Sequence, residues 1–367
     1  MPLRRCVLVA SAAGILAVAP PSANAQQNNP YLRVSYIDVG QGDAIWIQGP
    51  DEEDGTPGGN LIIDGGPDRG KNNRVLKYLQ AQRYGLQPGA AIDCIVATHP
   101  HDDHYPGLMD VLDMYEVRQI VDSGFPKERT TESGAVSRFE RFRQLAIKER
   151  ADGRASQFIE LRATADRNLR CGNLSARIIH ADSDTLKNMG SGNTRENNAS
   201  TVLQLKFGAF TFLFMGDAEG KERGDPEDTT EFVEDLLLQK AGGEPDLLRA
   251  DVLKVGHHGS ETGSSLKFIR AVQPSVIVIM SGRKRFRGTF LPDQAVIDRY
   301  RRENPRAVIV RTDEDDARQG RDTTNDQDGD DVYMYTDGES LRVFKAVPTS
   351  AGRRVWRRVT SVQKDAP

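Results

Sequence analysis

The sequence predicts a layered α/β fold, on the pattern of its 367 residues. Apolar runs with strand composition recur along the whole chain. Segments with helical spacing separate these runs on both sides of the middle of the chain. Alternation of this kind is typical of sheets that are covered by helices. The length fits one large α/β domain, which we place at residues 26–346.

In the first half of the chain, predicted strands and helices follow one another at short intervals. Two apolar runs flank the tight turn GQG at 40–42, and a third run ends in a glycine pair. Segments with helical spacing would cover the sheet that these strands form. The predicted strands span 31–39, 43–50, 60–66, 91–99 and 118–124, and the predicted helices span 73–84, 107–117 and 137–151.

The second half repeats the alternation and closes with strands. The segment 250–260 is predicted to be a strand followed by a loop. The other predicted strands span 174–181, 200–208, 210–217, 274–282, 306–312, 331–336 and 340–345, and the predicted helices span 229–240 and 293–304.

Three segments depart from this pattern. Residues 126–172 are charged, and we interpret them as an insertion. Residues 313–331 are acidic and predict a mobile loop. Its NDQDGDD run is rich in oxygen ligands but lacks the spacing of an EF-hand calcium loop. The basic tail, residues 347–367, is predicted to be disordered.

The N-terminus has the pattern of a secretory signal peptide. A basic MPLRR stretch precedes an apolar run and a small-residue A-x-A site formed by Ala23 and Ala25. The apolar run is too short for a membrane anchor, and no later segment is long and apolar enough to span a bilayer. We therefore expect cleavage after Ala25 and a periplasmic or secreted mature chain.

Charge and cysteine content narrow the functional classes. A formal net charge of −4 excludes a globally basic nucleic-acid coat, although a local basic groove stays open. Cys94 and Cys171 remain after cleavage and would allow one disulfide in an oxidising compartment. Because Cys94 lies in the apolar run AIDCIVATH, we favour a buried core thiol. The sequence does not decide whether the two cysteines pair, and it does not predict an oligomeric state.

The stretch ATHPHDDHYPGL, residues 97–108, is dense in potential metal ligands. Imidazole and carboxylate groups suit zinc and similar divalent ions, and no cysteine thiolate of the kind used in structural zinc sites is nearby. A solvated polar loop is the alternative, and the ligand density disfavours it. The candidate ligands are His99, His101, Asp103 and His104.

This spacing resembles the H-x-H-x-D-H signature of the metallo-β-lactamase fold hydrolases. Three further stretches resemble motifs of that family, and they occur in the expected order after apolar strands. They are IIDGG with Asp64, FLFMGDAE with Asp217, and DVLKVGHHGS with His257 and His258.

A narrower resemblance covers roughly residues 31–346. The stretches IDVGQGDAIWIQ and DVLKVGHHGSETGSS are similar to the periplasmic hydrolase domain of the ComEC family and its stand-alone secreted relatives. The resemblance implies an αββα fold, in which two sheets lie between helical layers and the metals bind at one sheet edge. It also implies two zinc ions, with manganese as an alternative.

The resemblance assigns each motif residue a role. His99 and His101 would bind the first metal, and Asp217 would bridge both metals. Asp103, His104 and one of the paired histidines would bind the second. Asp64 would orient a ligand histidine. The candidate catalytic residues are Asp103, His257 and Asp64, which would act around a hydroxide that bridges two metals.

The paired histidines have different expected roles. Adjacent side chains at a strand end diverge, so both are unsuited to binding one metal. We assign His258 as the ligand and His257 as a hydrogen-bond donor or general acid towards the substrate, with the reverse assignment open.

Other polar residues are candidates for substrate or outer-shell contacts. Asp38, Gln41 and Asp43 lie in the turn near the start of the chain, where they would either approach the metals or pin the turn. The remaining candidates are Asn197, Asn198, Ser260, Arg283 and Arg285.

Two departures from the family pattern matter. The stretch NTRENNASTVLQL has Glu196 but no histidine where the wider fold supplies a further ligand, which argues for a weaker first metal site and against a true β-lactamase. Leu291 stands where relatives often carry a histidine before a proline.

The predicted reaction is hydrolysis of a small-molecule or nucleic-acid phosphodiester. The basic cluster SGRKRFRG, residues 281–288, would suit a phosphate and a stacked base, although a solvated basic loop is the simpler reading. One alternative is hydrolysis of carboxylic esters, lactones or β-lactams, because the fold is shared by all these chemistries. Another is a non-catalytic binding module with a degenerate metal site, associated with DNA uptake.

Overall fold

The structure is a computed structural model of the chain. It describes residues 29–81, 85–86, 90–126, 136–161, 167–181, 189–282, 285–286, 289–314, 329–349 and 354–364. The predicted signal peptide and the centre of the acidic 313–331 segment lie outside the described residues.

The first sheet has nine strands, formed by both ends of the chain and its first third. They are β1 (Leu32–Tyr36), β2 (Ile45–Gln48), β3 (Asn60–Ile63), β4 (Ala91–Ala97), β5 (Glu116–Asp122), β6 (Gln157–Glu160), β16 (Val332–Thr336), β17 (Ser340–Pro348) and β18 (Arg354–Gln363). Their order is β18-β17-β16-β1-β2-β3-β4-β5-β6. The pairs β3–β4, β4–β5 and β5–β6 are parallel.

The second sheet has seven strands from the middle of the chain. They are β7 (Arg167–Cys171), β8 (Leu174–His180), β9 (Val202–Phe207), β10 (Phe210–Phe214), β11 (Val252–Lys254), β12 (Val276–Ile279) and β15 (Val308–Arg311), in the order β15-β12-β11-β10-β9-β8-β7. A separate small hairpin pairs β13 (Arg285–Phe286) with β14 (Thr289–Phe290).

Helices cover the outer faces of both sheets. The helices on the first sheet are α1 (Arg74–Ala81), α2 (Pro106–Met114) and α3 (Arg138–Ala151), and those on the second are α5 (Phe232–Gly243), α6 (Leu266–Val272) and α7 (Gln294–Glu303). The short helix α4 (Asn193–Asn197) contributes no residue to either apolar layer. The short helices α4 and α6 were not predicted. None of the helices in the described ranges combines the length and the hydropathy that a membrane crossing requires.

Three apolar layers define the architecture. The inward side chains of both sheets, such as Ile47 and Phe212, form the layer between the sheets. A second layer packs α1, α2 and α3 on the first sheet, and a third packs α5, α6 and α7 on the second. The predicted αββα sandwich is therefore confirmed.

The two cysteines form a disulfide, so the preference for a buried free thiol at Cys94 was wrong. The bond joins Cys94 of β4 to Cys171 of β7 and therefore links the two sheets across the inner layer. The apolar run around Cys94 predicted burial correctly, but burial alone does not distinguish a thiol from a disulfide that lies between two sheets.

We expect loss of this disulfide to destabilise the chain. The bond links residues 77 positions apart, and constraints on loops of this size stabilise folded proteins by about 2–4 kcal/mol. Urea unfolding of the Cys94→Ala/Cys171→Ala variant should show this loss. Wild-type protein in reducing agent should lose a similar amount, and an unchanged midpoint in both samples would contradict the expectation.

The structure describes parts of two segments, 126–172 and 347–367, that depart from the predicted alternation of strands and helices. The described part of 126–172 forms α3, β6 and β7, which extend the helical layer and both sheets. Whether it is an insertion relative to other proteins stays a prediction. The predicted disorder of the tail is wrong for residues 354–363, because β18 pairs along its whole length with β17. Its basic residues flank the apolar pair Val355 and Trp356, and composition alone does not reveal this arrangement.

Candidate metal centre

The metal-binding motifs lie together because each follows the end of a strand. Asp64 follows β3, His99 follows β4, and Asp217 follows β10. The histidine pair lies in a short turn, Gly256–Gly259, directly after β11. Because β3–β4 and β10–β11 are parallel pairs, their carboxyl ends share an edge in each sheet, and the two edges meet at the site.

One group of side chains surrounds the Nε2 atom of His104. The Nε2 atom of His258 lies 3.3 Å from it, and Oδ2 of Asp217 lies 3.2 Å from each of the two nitrogens. Oδ2 of Asp103 lies 3.5 Å from Nε2 of His258. These nitrogens and oxygens converge on one small volume and form a suitable donor set for a divalent ion.

A second group of side chains also includes Asp217 and approaches the same Oδ2 atom. Nε2 of His99 is 3.6 Å from Oδ2 of Asp217 and 3.1 Å from Nδ1 of His101. Ligand atoms of these three residues lie within 4.8 Å of one another. Asp217 therefore belongs to both groups, as the family resemblance implied for a bridging ligand. The individual ligand roles stay predictions.

Outer hydrogen bonds fix the orientation of the ligand rings. Nδ1 of His104 lies 2.8 Å from Oδ2 of Asp64, and Nδ1 of His258 lies 3.0 Å from the carbonyl of Met280. Asp64 also accepts hydrogen bonds from the amide and hydroxyl of Thr98. The second nitrogen of each ring is thereby left pointing inward, which is the usual outer-shell arrangement around a metal.

Electrostatics show that the pocket is adapted to positive charge. Burial opposes charge on His104 and His258, yet Asp217 raises the pKa of both imidazoles well above the usual value. Burial likewise favours a neutral Asp217, but these histidines hold its pKa well below the usual range. Metal ions would replace the shared protons. Among the residues that the structure describes, Oδ1 of Asp217 and Oδ1 of Asp43 are buried and have no hydrogen-bond partner, which also fits a cation site.

Lys254 is a feature of the centre that sequence reasoning missed. It is the last residue of β11, is fully buried, and forms an ion pair with Asp43. Its ammonium group also donates to the carbonyl of Gly216 over 2.8 Å and lies 3.9 Å from Asp217. A lysine is rarely fully buried unless its charge is paired. The lysine within the apolar stretch VLKV therefore indicated a buried acidic partner.

Lys254 and the histidines hold Asp43 on the outer side of the ring cluster. Its carboxylate faces Nδ1 of His104 at 3.8 Å and Nδ1 of His258 at 3.4 Å, which are the nitrogens turned away from Asp217. Asp43 is nevertheless close enough to be grouped with His104, Asp217 and His258 as a possible ligand. We infer that it mainly orients the two imidazoles.

Removing the Lys254 charge should destabilise the chain strongly. Lys254→Met leaves Asp43 buried without its cation, and breaking a buried pair in this way costs about 3–5 kcal/mol. Urea unfolding of the metal-free protein measures the loss. The double variant Lys254→Met/Asp43→Leu is the matched control and should recover part of the stability. Equal stability of wild type and Lys254→Met would contradict the proposed pairing.

His257 points away from the ring cluster and towards a buried carboxylate. Its Nδ1 atom lies 2.8 Å from Oε1 of Glu219 and 3.0 Å from the hydroxyl of Thr262. Asn197 donates to the same Glu219 oxygen over 2.8 Å. Glu219 is 2% exposed, whereas the His257 side chain is 24% exposed. This carboxylate–imidazole pair was not predicted, although Glu219 follows Asp217 by only two residues in GDAE.

The backbone of this region is held in uncommon conformations. Asp64, His257 and His258 have φ values of 57°, 42° and 52°. Non-glycine residues adopt positive φ at some energetic cost, and such residues cluster at functional sites.

The front turn packs directly on the metal loop. Gly42 has φ of 140°, and a side chain there would collide with the carbonyl of Asp103. Asp38 accepts hydrogen bonds from the backbone of Gly40, Gly329 and Asp330. Two roles were predicted for the residues of this turn, and each is seen at a different residue. Asp38 holds the turn in place, and Asp43 approaches the metal centre.

Other predicted residues lie around the centre with structural contacts. The side-chain oxygen of Gln41 lies 3.4 Å from the amide of Gly282, at the start of the segment that leads to the basic cluster. Asn198 accepts from the amide of Glu219, and Ser260 accepts from Arg223. Arg283 and the side chain of Arg285 lie outside the described residues.

Glu196 occupies the region of the missing family histidine. Its Oε2 atom lies 3.1 Å from Nε2 of His101. The carboxylate is partly exposed and contacts the side of the imidazole that faces away from His99. The first group thus has two histidines and Asp217 as its close donors.

Comparisons with known proteins agree with this arrangement. Residues 37–166 match the model of the metallo-beta-lactamase superfamily. The chain is 27% identical over 300 residues to ComE operon protein 3 of Bacillus subtilis, covering 78% of this chain and 33% of that protein. It is 24% identical over 262 residues to Recombination protein 2 of Haemophilus influenzae, covering 70% and 25%. The chain thus spans a third or less of the length of these curated relatives.

Two solved structures align with most of this chain at low sequence identity. Subclass B3 metallo-beta-lactamase MEM-A1, from a soil metagenome library, aligns with a TM-score of 0.35 and 12% identity over 74% of this chain and 90% of that chain. A long-form RNase Z from yeast aligns with a TM-score of 0.28 and 12% identity, covering 74% and 40%.

The family match and the two-sheet architecture confirm the predicted resemblance: this is a protein of the metallo-β-lactamase fold with a candidate metal centre. Besides the two curated relatives above, the chain is 37% identical over 90 residues to Competence protein ComA of Neisseria gonorrhoeae, covering 24% of this chain and 11% of that protein.

Proposed function

We propose that the chain is a periplasmic or secreted phosphodiesterase that holds two divalent ions, zinc or manganese. The convergence of two donor groups on the shared carboxylate of Asp217 carries the proposal. Ions held there would lower the pKa of bound water and accept charge on phosphoryl oxygens. His99 and His101 would hold one ion, and the His104 group would hold the other.

The His257–Glu219 pair gives the centre a proton donor. The buried carboxylate of Glu219 lies 2.8 Å from Nδ1 of His257 and orients the ring. Nε2 of His257 would then donate its proton to the oxygen of the departing alcohol as the phosphorus–oxygen bond breaks. A proton donor on the leaving-group side suits phosphodiesters of ordinary alcohols, which leave poorly unless the departing oxygen is protonated.

Three observations favour a phosphodiester over an acyl substrate. Gly282, which directly precedes the basic residues in sequence, contacts the front turn through its amide, 3.4 Å from the side-chain oxygen of Gln41. Two of the curated relatives are named Recombination protein 2 and Competence protein ComA, and these names fit a nucleic-acid substrate. The first donor group lacks the further histidine, in contrast to the pattern expected of a true β-lactamase. DNA uptake is the process in which we expect the chain to act.

A substrate panel tests this proposal. Purified chain without residues 1–25 is loaded with zinc or manganese and assayed on bis-p-nitrophenyl phosphate, a β-lactam and a simple carboxylic ester. We expect turnover of the phosphodiester alone. Turnover of the ester or the lactam with none of the phosphodiester would overturn the substrate class while leaving the metal centre intact.

A further inference from the structure

An aromatic cluster lies on the outer face of the first sheet, where β16, β17 and β18 extend it beyond the helices. The ring centroids of Tyr333 and Trp356 are 5.7 Å apart, and those of Tyr335 and Phe344 are 5.6 Å apart. Tyr31 adds an edge contact to Tyr335 at 5.1 Å. We call these five residues the aromatic face.

Strand register places these side chains on one side of the sheet. Tyr333 pairs with Phe344, and Phe344 pairs with Arg358 in the next strand. The neighbours Met334 and Val343 point inward and belong to the layer between the sheets. Because side chains alternate along a strand, the aromatic residues must point outward.

Within the described chain, the helical layer reaches only the edge of this part of the sheet, where Arg74 of α1 pairs with Asp331. The layer that α1, α2 and α3 form on the first sheet includes no residue of β16, β17 or β18. Tyr31, Tyr333, Tyr335 and Trp356 are accordingly all partly exposed. Aromatic residues grouped on an open sheet surface are typical of binding surfaces rather than of solvated strands.

The charges on this surface are positive. The Arg342 guanidinium lies 5.4 Å from the centre of the Tyr335 ring and donates to the Tyr335 hydroxyl over 3.1 Å. Arg358 is exposed opposite Phe344, whereas Arg33, which pairs in register with Tyr335, is buried. None of the described residues that pair in register with the aromatic side chains is acidic. The overall chain is acidic, so this face is a local exception.

We propose that the aromatic face binds single-stranded nucleic acid by stacking bases on its rings while arginines contact the phosphates. Stacking platforms flanked by cations are the general means of holding single strands without sequence preference. The face also adjoins the front turn, because Asp331, two residues before Tyr333, accepts a hydrogen bond from the amide of Asp38. A strand held there would run towards the metal centre.

Oligonucleotide binding in EDTA tests this proposal independently of hydrolysis. The probe is a fluorescein-labelled oligothymidylate, measured by anisotropy over a range of salt concentrations with the chain that lacks residues 1–25. We expect Trp356→Ala to weaken binding by about fivefold or more, which corresponds to the loss of one stacked base. Binding should also quench Trp356, because Trp46, the second tryptophan, is buried.

Two neighbouring arginines provide a matched control that does not disturb the core. Arg358 lies on the aromatic face, whereas Arg357 pairs with Lys345 on the opposite side of the same strand. Arg358→Ala should reduce the slope of log affinity against log salt by roughly 0.7, the value for one lost phosphate contact with a single strand. Arg357→Ala should change it less.

Three results would overturn the proposal. They are unchanged affinity in Trp356→Ala, equal effects of the two arginine substitutions, and a change in self-association of Trp356→Ala without any change in oligonucleotide affinity. The last result would identify a protein interface. Asp217→Ala should still bind the oligonucleotide in EDTA, so failure of the phosphodiesterase proposal and failure of this one are separable.

Discussion

Replacing Asp217 with alanine is expected to remove bound metal and phosphodiester turnover together while the chain stays folded. Oδ2 of Asp217 lies within 3.6 Å of Nε2 of His99, His104 and His258, so it is the one carboxylate shared by both donor groups. The substitution also removes the negative charge that favours the protonated forms of His104 and His258. We expect turnover to fall by about 10³-fold or more.

Elemental analysis, turnover of bis-p-nitrophenyl phosphate and circular dichroism would be measured on the same preparation. Asp122→Asn is the control, because Asp122 is also buried at a strand end but pairs with Arg143 instead of the histidines. This variant should keep its metal. Full turnover in Asp217→Ala would contradict a centre that depends on a shared carboxylate.

Replacing His257 with alanine is expected to slow the reaction while both metals stay bound. The size of the loss should depend on the leaving group, because a proton donor matters only when the departing oxygen is strongly basic. Turnover of a dinucleotide should fall by about 10²–10⁴-fold. Turnover of bis-p-nitrophenyl phosphate, which releases the weakly basic p-nitrophenolate, should fall far less.

Glu219→Gln tests the positioning part of the same prediction. The amide keeps the size of the side chain but removes the charge that faces Nδ1 of His257, so the dinucleotide rate should fall while turnover of bis-p-nitrophenyl phosphate changes far less. Thr262→Val is the control, since it removes the other Nδ1 contact of His257 without removing a charge. If His257→Ala lost a metal ion, the roles of His257 and His258 would have to be exchanged.

Much of the fold and most of the centre could be predicted, because the decisive signals are local in sequence. The ligands follow apolar strands directly, so strand prediction also predicts where Asp64, His99 and Asp217 emerge. The αββα arrangement and the separation of His257 from His258 came from family resemblance and from the divergence of adjacent side chains.

The features that were missed depend on contacts between distant segments. Asp43 and Lys254 are more than 200 residues apart, and only the packing of the two sheets pairs them. The same packing joins Cys94 to Cys171. The order of residues 354–363 likewise depends on β17, which offers a free edge for pairing. Periodicity within one segment contains no information about such partners.

Metal content of the wild-type chain tests the central claim most directly. Purified chain without residues 1–25 would be loaded with zinc or manganese, freed of excess ion and analysed for metal per chain, alongside turnover of bis-p-nitrophenyl phosphate. The proposed centre predicts two ions per chain, one held less tightly at the His99–His101 group, with phosphodiester turnover that follows their binding. A chain that takes up no metal under any loading and turns over no substrate would contradict it and indicate a binding protein.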